Sequence, residues 1–174
     1  EKTIKIYDDL ENTEDNVIKV VESSNMQIGT GSRVWECGIV LGKYAIKQNI
    51  DKGDYKKKNI LELGAGTGLL ALMLGSLGNN VYATDLKEVL PIMNLNIEGN
   101  PKVLEGKGTV KSFELDWNFS QEKIQEIFEK ECVKDIDFIF ASDVLYHLKH
   151  LELFSTALQN VALVLHKMNP TAKL

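Results

Sequence analysis

The stretch Asn59-Ile60-Leu61-Glu62-Leu63-Gly64-Ala65-Gly66-Thr67-Gly68 sets a short apolar run directly before three alternating glycines. The run has the length and composition of a buried strand. Glycines in the turn after such a strand permit positive φ and let a ligand lie directly against the main chain. Short turns also use glycine for structural reasons alone, but three of them between an apolar strand and a helix point to a ligand. Downstream the pattern repeats. A compact helix is expected over 69–77, stopped by Gly78, Asn79 and Asn80. A strand over 81–85 and a helix over 87–99, with Pro91 near its first turn, come next. Residues 109–117 read as a strand, 120–131 as a helix, 136–142 as a strongly apolar strand and 148–166 as a long amphipathic helix. Repeated β-α-β-α implies a parallel sheet with helices on both faces.

Upstream, Thr3, Ile4, Ile6 and Tyr7, then Val17, Ile18, Val20 and Val21, form two β-branched runs around the polar stretch 8–16, which predicts a strand pair. Gly29-Thr30-Gly31-Ser32 is a loop signal. Residues 35–47 look helical, with Cys37, Val40, Leu41, Tyr44 and Ala45 recurring at helical spacing, and a polar linker is expected over 51–58. At the other end Asn169-Pro170 turns the chain, and 171–174 read as the beginning of another strand. Four strands after the linker make a small doubly wound sheet, so further C-terminal strands are expected beyond these residues.

The 174 residues are 44% hydrophobic and 26% charged, which excludes disorder and suits one globular domain. No apolar run approaches the roughly 20 residues of a bilayer span. The charged N-terminus lacks the apolar stretch of a signal peptide, so no membrane is expected. Cys37 and Cys132 lie far apart with no CxxC pair, which indicates neither zinc nor a disulfide framework. A reducing compartment follows, the cytoplasm first and the nucleus as the alternative. Residues 1–30 carry seven acids against three lysines, whereas 31–174 carry 18 acids against 17 bases. No basic face is large enough to hold nucleic acid by charge alone.

The residues around the glycine turn discriminate between ligands. A dinucleotide fingerprint would place its third glycine at 69, where Leu69 stands. A phosphate-cradling Walker loop would end in Gly-Lys-Ser/Thr, but the chain has Gly68-Leu69-Leu70. Glu62 points the same way, because a carboxylate just before the turn repels a pyrophosphate and can receive an ammonium. S-adenosylmethionine has no phosphate and carries both an amino group and a sulfonium, and it suits these residues best. Asp85 would end the next strand about twenty residues past the turn, placed to accept both ribose hydroxyls. Its plain alternative is to cap the helix that begins near Lys87.

Four stretches together resemble the seven-strand S-adenosylmethionine-dependent methyltransferases, and within them the methyltransferase-like protein-lysine methyltransferases. They are Arg33-Val34-Trp35-Glu36, residues 62–68, Glu114-Leu115-Asp116-Trp117 and Asp143-Val144-Leu145-Tyr146, and the resemblance covers roughly residues 30–165. It implies an α/β, Rossmann-like, doubly wound, mostly parallel class I sheet with an N-terminal β-hairpin. Residues 1–174 would be one methyltransferase domain, with 1–30 as a hairpin extension and 31–174 as a cofactor-binding core lacking its last strands. Carried over by position, Trp35 would lie over the cofactor, Gly64, Ala65 and Gly66 would contact its methionine moiety, and Asp85 its ribose. Asp116 and Trp117 would flank the adenine, and Ser142 would sit beside the cofactor. Asp143 and Tyr146 would face the amine of a lysine in a protein substrate.

Each of these residues has a plainer role open to it. Trp35 and Trp117 could be core, and Asp143 with Tyr146 could cap the segment that follows. His147, His150 and Glu152 suggest metal only superficially, and none is expected because methyl transfer needs none. The acidic N-terminal hairpin reads as an ordinary solvated edge. A methyltransferase acting on a small molecule or nucleic acid is the second reading. Amino-methylating nucleic-acid enzymes of this fold usually carry Asn/Asp-Pro-Pro-Tyr/Phe where this chain has Asp143-Val144-Leu145-Tyr146. A non-catalytic cofactor-binding module is the third.

Overall fold

The computed structural model describes residues 1–7, 11, 13–24, 29–52 and 55–169. The expected strand at 171–174 lies outside the described residues, as do parts of the stretch 8–16 and of the linker. Strands β1 (Lys2–Lys5) and β2 (Val17–Val20) pair antiparallel, with Ile4 opposite Ile18. A 3-10 turn over Gly29–Ser32 and helix α1 (Glu36–Lys52) lead into strand β3 (Asn59–Leu63). There follow α2 (Leu69–Ser76), β4 (Asn80–Asp85), α3 (Leu90–Glu98), a short α4 (Pro101–Leu104) and β5 (Thr109–Glu114). Helix α5 (Gln121–Lys130), β6 (Phe138–Phe140) and α6 (Leu148–Met168) complete the described chain.

β3 to β6 form a parallel sheet in the order β5-β4-β3-β6. The chain leaves central β3 toward β4 and β5, then returns to place β6 on the other side of β3. Connections therefore diverge beside β3, and the crevice at the carboxyl ends of the strands is where such sheets bind ligands. Alternation along β3 sends Ile60 to a core shared with α1, α2 and the hairpin, and Leu61 and Leu63 to a second core with α5 and α6. Glu62 shares the face of Ile60, so a carboxylate is delivered into the α1–α2 layer. Helix α2 has no polar face, since every residue from Leu69 to Ser76 is buried. A helix apolar all round belongs inside, and here α1, α4 and the sheet enclose it. Among the described residues no helix is long and apolar enough to cross a membrane.

Several boundaries differ from those read in sequence, each for a local reason. β5 ends at Glu114 rather than 117 because Asp116 Oδ1 accepts the Asn118 N–H at 2.9 Å and turns the chain. β6 keeps only three residues; before it, the Asp137 carboxylate accepts the Asn59 N–H at 2.9 Å, and after it Asp143 takes a φ of 55°. Helix α1 runs on to Lys52, so it takes up the start of the expected linker. Helix α3 starts at Leu90, after a turn closed by the Val89 N–H on the Leu86 carbonyl. Ser120 caps α5, accepting the Lys123 N–H at 3.3 Å.

The hairpin is held on the core by two buried amides. Asn100 accepts the Lys19 N–H at 2.8 Å and donates to the Lys19 carbonyl at 2.9 Å. Asn96 accepts the Val21 N–H at 2.8 Å and donates to the Val21 carbonyl at 3.1 Å. The two side chains thus pair with β2 and its extension as a neighbouring strand would, satisfying backbone groups on that edge. Asn96 also donates to the Thr67 carbonyl at 3.0 Å, which joins the hairpin to the glycine turn. Asn96→Ala strands buried partners on both sides and should lower unfolding free energy in urea by about 1–3 kcal/mol. Amide exchange should rise in β1 and β2 before it rises in β3.

Candidate functional site

The glycine turn is tied at four points. The Gly64 and Ala65 N–H groups both donate to the Thr84 carbonyl, at 2.9 and 3.0 Å, and the Gly66 N–H donates to Asp85 Oδ2 at 2.8 Å. The Thr84 hydroxyl in turn donates to the Glu62 carbonyl at 2.7 Å. Gly64 and Gly66 have φ of 73° and 55°, a region costly for other L-residues. Space is closed to a side chain as well: a Cβ on Gly66 would lie 3.1 Å from the Gly31 carbonyl oxygen, and one on Gly64 would lie 2.9 Å from Val144. The segment 29–35 therefore crosses the turn with backbone nearly on backbone.

Glu62 is only 1% exposed, and its Oε2 has no hydrogen-bond partner. The Ala71 N–H, in the first turn of α2, lies close enough to the carboxyl to favour its anion. Burial and the neighbouring Asp85 carboxylate outweigh that effect and push the Glu62 carboxyl up to about 8. Asp85 is also raised, chiefly by burial, against the pull of its bonds from the Gly66 and Leu86 N–H groups. Asp85 does not cap α3, whose N-cap Val89 has no side-chain bond. Its carboxylate serves the glycine turn.

Glu62, Gly64, Ala65, Gly66, Trp35 and Ser142 line one cleft together with Arg33, Gly38 and Thr67. Trp35 is 48% exposed, so it is not core, and its indole N–H donates to the Thr30 carbonyl at 3.0 Å. The Thr30 hydroxyl donates to the Tyr146 hydroxyl at 3.1 Å, which brings Trp35 and Tyr146 to one rim. Asp143 stands at the same end but bonds elsewhere, its Oδ2 accepting the Cys37 N–H at 3.2 Å at the start of α1. It caps α1 rather than the segment that follows it. His147 caps α6, weakly, through Nδ1 and the Lys149 N–H at 3.4 Å. Asp116 does not line this cleft; its Oδ1 accepts the Asn118 backbone N–H and side-chain amide, both at 2.9 Å. Trp117 packs on Phe154 with ring centroids 5.0 Å apart, while its edge lies 3.4 Å from where a Gly64 side chain would be. Thr30, Gly31 and Cys37 join the site without having been singled out for it. Only the Gly29–Ser32 loop signal marked two of them, and it carries no trace of where the loop lies.

A larger open depression of about 620 Å³ lies between the hairpin turn and α4, lined by Thr13, Glu14, Asp15, Lys102, Glu105 and Lys107. Its size exceeds that of the glycine-turn cleft, but Lys102 and Glu105 already pair at 2.8 Å, and among the described residues no buried polar group faces it unpartnered.

A parallel α/β sheet with a glycine turn and paired carboxylates at its switch point is the arrangement of a nucleotide-type ligand site. The chain belongs to the lysine methyltransferase family, whose family model matches residues 12–169. It is 35% identical over 122 residues to protein-lysine methyltransferase METTL21E of Bos taurus, covering 70% of this chain and 40% of that one. It is 27% identical over 129 residues to EEF1A lysine methyltransferase 3 of Xenopus tropicalis, covering 74% and 51%. With protein-lysine N-methyltransferase EFM6 of Saccharomyces cerevisiae the identity is 28% over 171 residues, covering 88% and 65%. The chain thus spans between 40% and 65% of the length of these relatives.

A carboxyl raised from 4.5 to about 8 in the folded state favours folding fully below pH 4.5, and that contribution is lost as pH rises through 8. The ligand-free protein should therefore lose stability between those limits. Glu62→Gln should flatten the loss, by a few kcal/mol at most. Urea unfolding at pH 5, 7 and 8.5 measures it; parallel pH profiles for the two proteins would refute the assignment.

Proposed function

We propose that this chain is the cofactor-binding part of an S-adenosylmethionine-dependent methyltransferase acting on the ε-amine of a lysine in a protein. The observation that carries the cofactor is the orphaned, buried Oε2 of Glu62 beside the glycine turn. A phosphate would be repelled there, and an ammonium would supply the missing donor. The enclosed part of the cleft is about 40 Å³, room for such a group but not for a nucleoside. The nucleoside would lie outward across Gly64–Gly66 toward Asp85, whose two oxygens each retain acceptor capacity for the ribose hydroxyls. Family membership and the names of the relatives support lysine as the acceptor.

S-adenosylmethionine, when bound, supplies a methyl group already activated by its sulfonium, so this chain has only to position the amine. Trp35 and Tyr146 form the wall where a side chain would enter. Free lysine has a pKa of about 10.4 and must arrive neutral at the reacting carbon. Asp143 attracts and orients the ammonium at the mouth, which by itself would hold the proton on. Desolvation against Trp35 and Tyr146 works in the opposite direction and favours proton loss. Ser142 lines the cleft beside the cofactor, and Trp117 stands on the side of the turn away from Glu62.

Calorimetry with S-adenosylmethionine and S-adenosylhomocysteine, with NAD as control, tests the cofactor. Micromolar binding with NAD silent is expected, and absence of binding would overturn the proposal. Asp143→Asn keeps an acceptor for Cys37 while removing the charge. It should cut methyl transfer to protein lysines by about tenfold or more, with cofactor affinity little changed. Asp85→Ala should do the reverse, weakening cofactor affinity most. Equal losses of both quantities in both variants would refute the division of roles.

A further inference from the structure

The Glu62 carboxyl occupies a position that no ordinary buried acid tolerates in ionised form. It lies on the central strand, wholly enclosed, near the Ala71 N–H of α2 and with its Oε2 bonded to nothing. From β4 the Asp85 carboxylate faces it and adds repulsion. From α2 only backbone N–H reaches it, and from the glycine turn the buried Thr67 hydroxyl lies nearby. From α1 the lining residue is Gly38, and from the end of β6 it is Ser142, neither of which titrates. The segment before α1 contributes Arg33 to the cleft, but that side chain is exposed and its charge acts on Glu22. No cation among the described residues therefore compensates Glu62. A wholly buried carboxyl with one oxygen unpartnered and a second carboxylate close enough to repel its anion holds a proton more readily than an exposed one.

Resting on the cofactor reading above, we propose that Glu62 is an exchange site: the ammonium of the cofactor's amino-acid end replaces a proton, and binding releases that proton to solvent. The O–H bond of the Glu62 carboxylic acid breaks, the proton passes to buffer, and the carboxylate left behind pairs with the ammonium. No other bond changes and no redox partner is required. Burial is what makes the exchange stoichiometric, since an exposed glutamate would already be ionised at neutral pH. With the carboxyl at about 8 in the free protein, the acid form predominates at pH 7 and the exchange is close to complete. The cleft thereby selects for a ligand with a cation at this end, and its affinity depends on pH although the ligand's own charge is constant.

Calorimetry of S-adenosylhomocysteine binding at pH 6.5, in buffers of different ionisation enthalpy, counts the protons. Release of about one proton per ligand is expected, with affinity rising up to about tenfold per pH unit between 6 and 7.5. Methylthioadenosine, which keeps the nucleoside and thioether but lacks the ammonium, should bind more weakly and release none. Glu62→Gln should abolish the release and the pH slope. ¹³C NMR of the ligand-free protein should show one glutamate carboxyl titrating near pH 8 that is missing in the variant. Homocysteine-ligand binding without proton release would overturn the exchange and leave the cofactor reading standing. No binding of that ligand at all would overturn the cofactor reading and the exchange with it. Equal release with methylthioadenosine would also overturn the exchange, by placing the proton elsewhere, and that arm does not depend on the variant folding.

Discussion

Everything at the carboxyl end of this sheet depends on how three successive amides, Gly64, Ala65 and Gly66, are held. Two of them share the Thr84 carbonyl and the third takes the Asp85 carboxylate. These bonds join the tip of β3 to the tip of β4, so the turn cannot drift without breaking the sheet at its centre. Because Gly66 lies under the Gly31 carbonyl, the same constraint locates the segment that carries Trp35. At Gly64 and Gly66 the close approach of Val144 and of the Gly31 carbonyl leaves no room for a side chain. Glycine is then required by space as well as by φ.

The same knot explains why charge is buried here. The alternation of β3 that sends Leu61 and Leu63 to one core sends Glu62 with Ile60 to the other, beneath α1 and α2. The chain carries a carboxyl here at a cost that burial and Asp85 both increase. The arrangement resembles other ligand sites in which polar groups are left incompletely satisfied until the partner arrives. Around it the rim is assembled from distant parts. Thr30 links Trp35 to Tyr146, Asp143 links the end of β6 to the start of α1, and Asn96 links the hairpin to Thr67.

Much of the fold was legible because the elements that matter are locally consistent. The apolar run before the glycines and the compact apolar helix after them each declare themselves within a few residues. What escaped was set by long-range bonds. β6 shrinks to three residues because its neighbours are engaged by Asn59 and by the turn at Asp143. The second role of Asn96 and Asn100, as partners for an edge strand, has no local signature at all, because a helical asparagine looks the same whatever it faces. Asp116 could be assigned only by analogy, and that its Oδ1 also closes the local turn is visible only in the structure.

Sequence alone determined the class of fold, the place of the ligand turn and the kind of charge beside it. Period-two and helical patterns, and glycines at one turn, are properties of neighbouring residues and survive without tertiary contacts. Tertiary structure alone decided that Glu62 is fully enclosed and lacks a partner for one oxygen. It also decided that Asp85 supports the turn rather than capping a helix, and that Asp143 begins its work by holding α1. Those outcomes depend on which groups from β4, α1 and α2 arrive at the same point, and the energy of a buried charge is set by that company rather than by the residue itself.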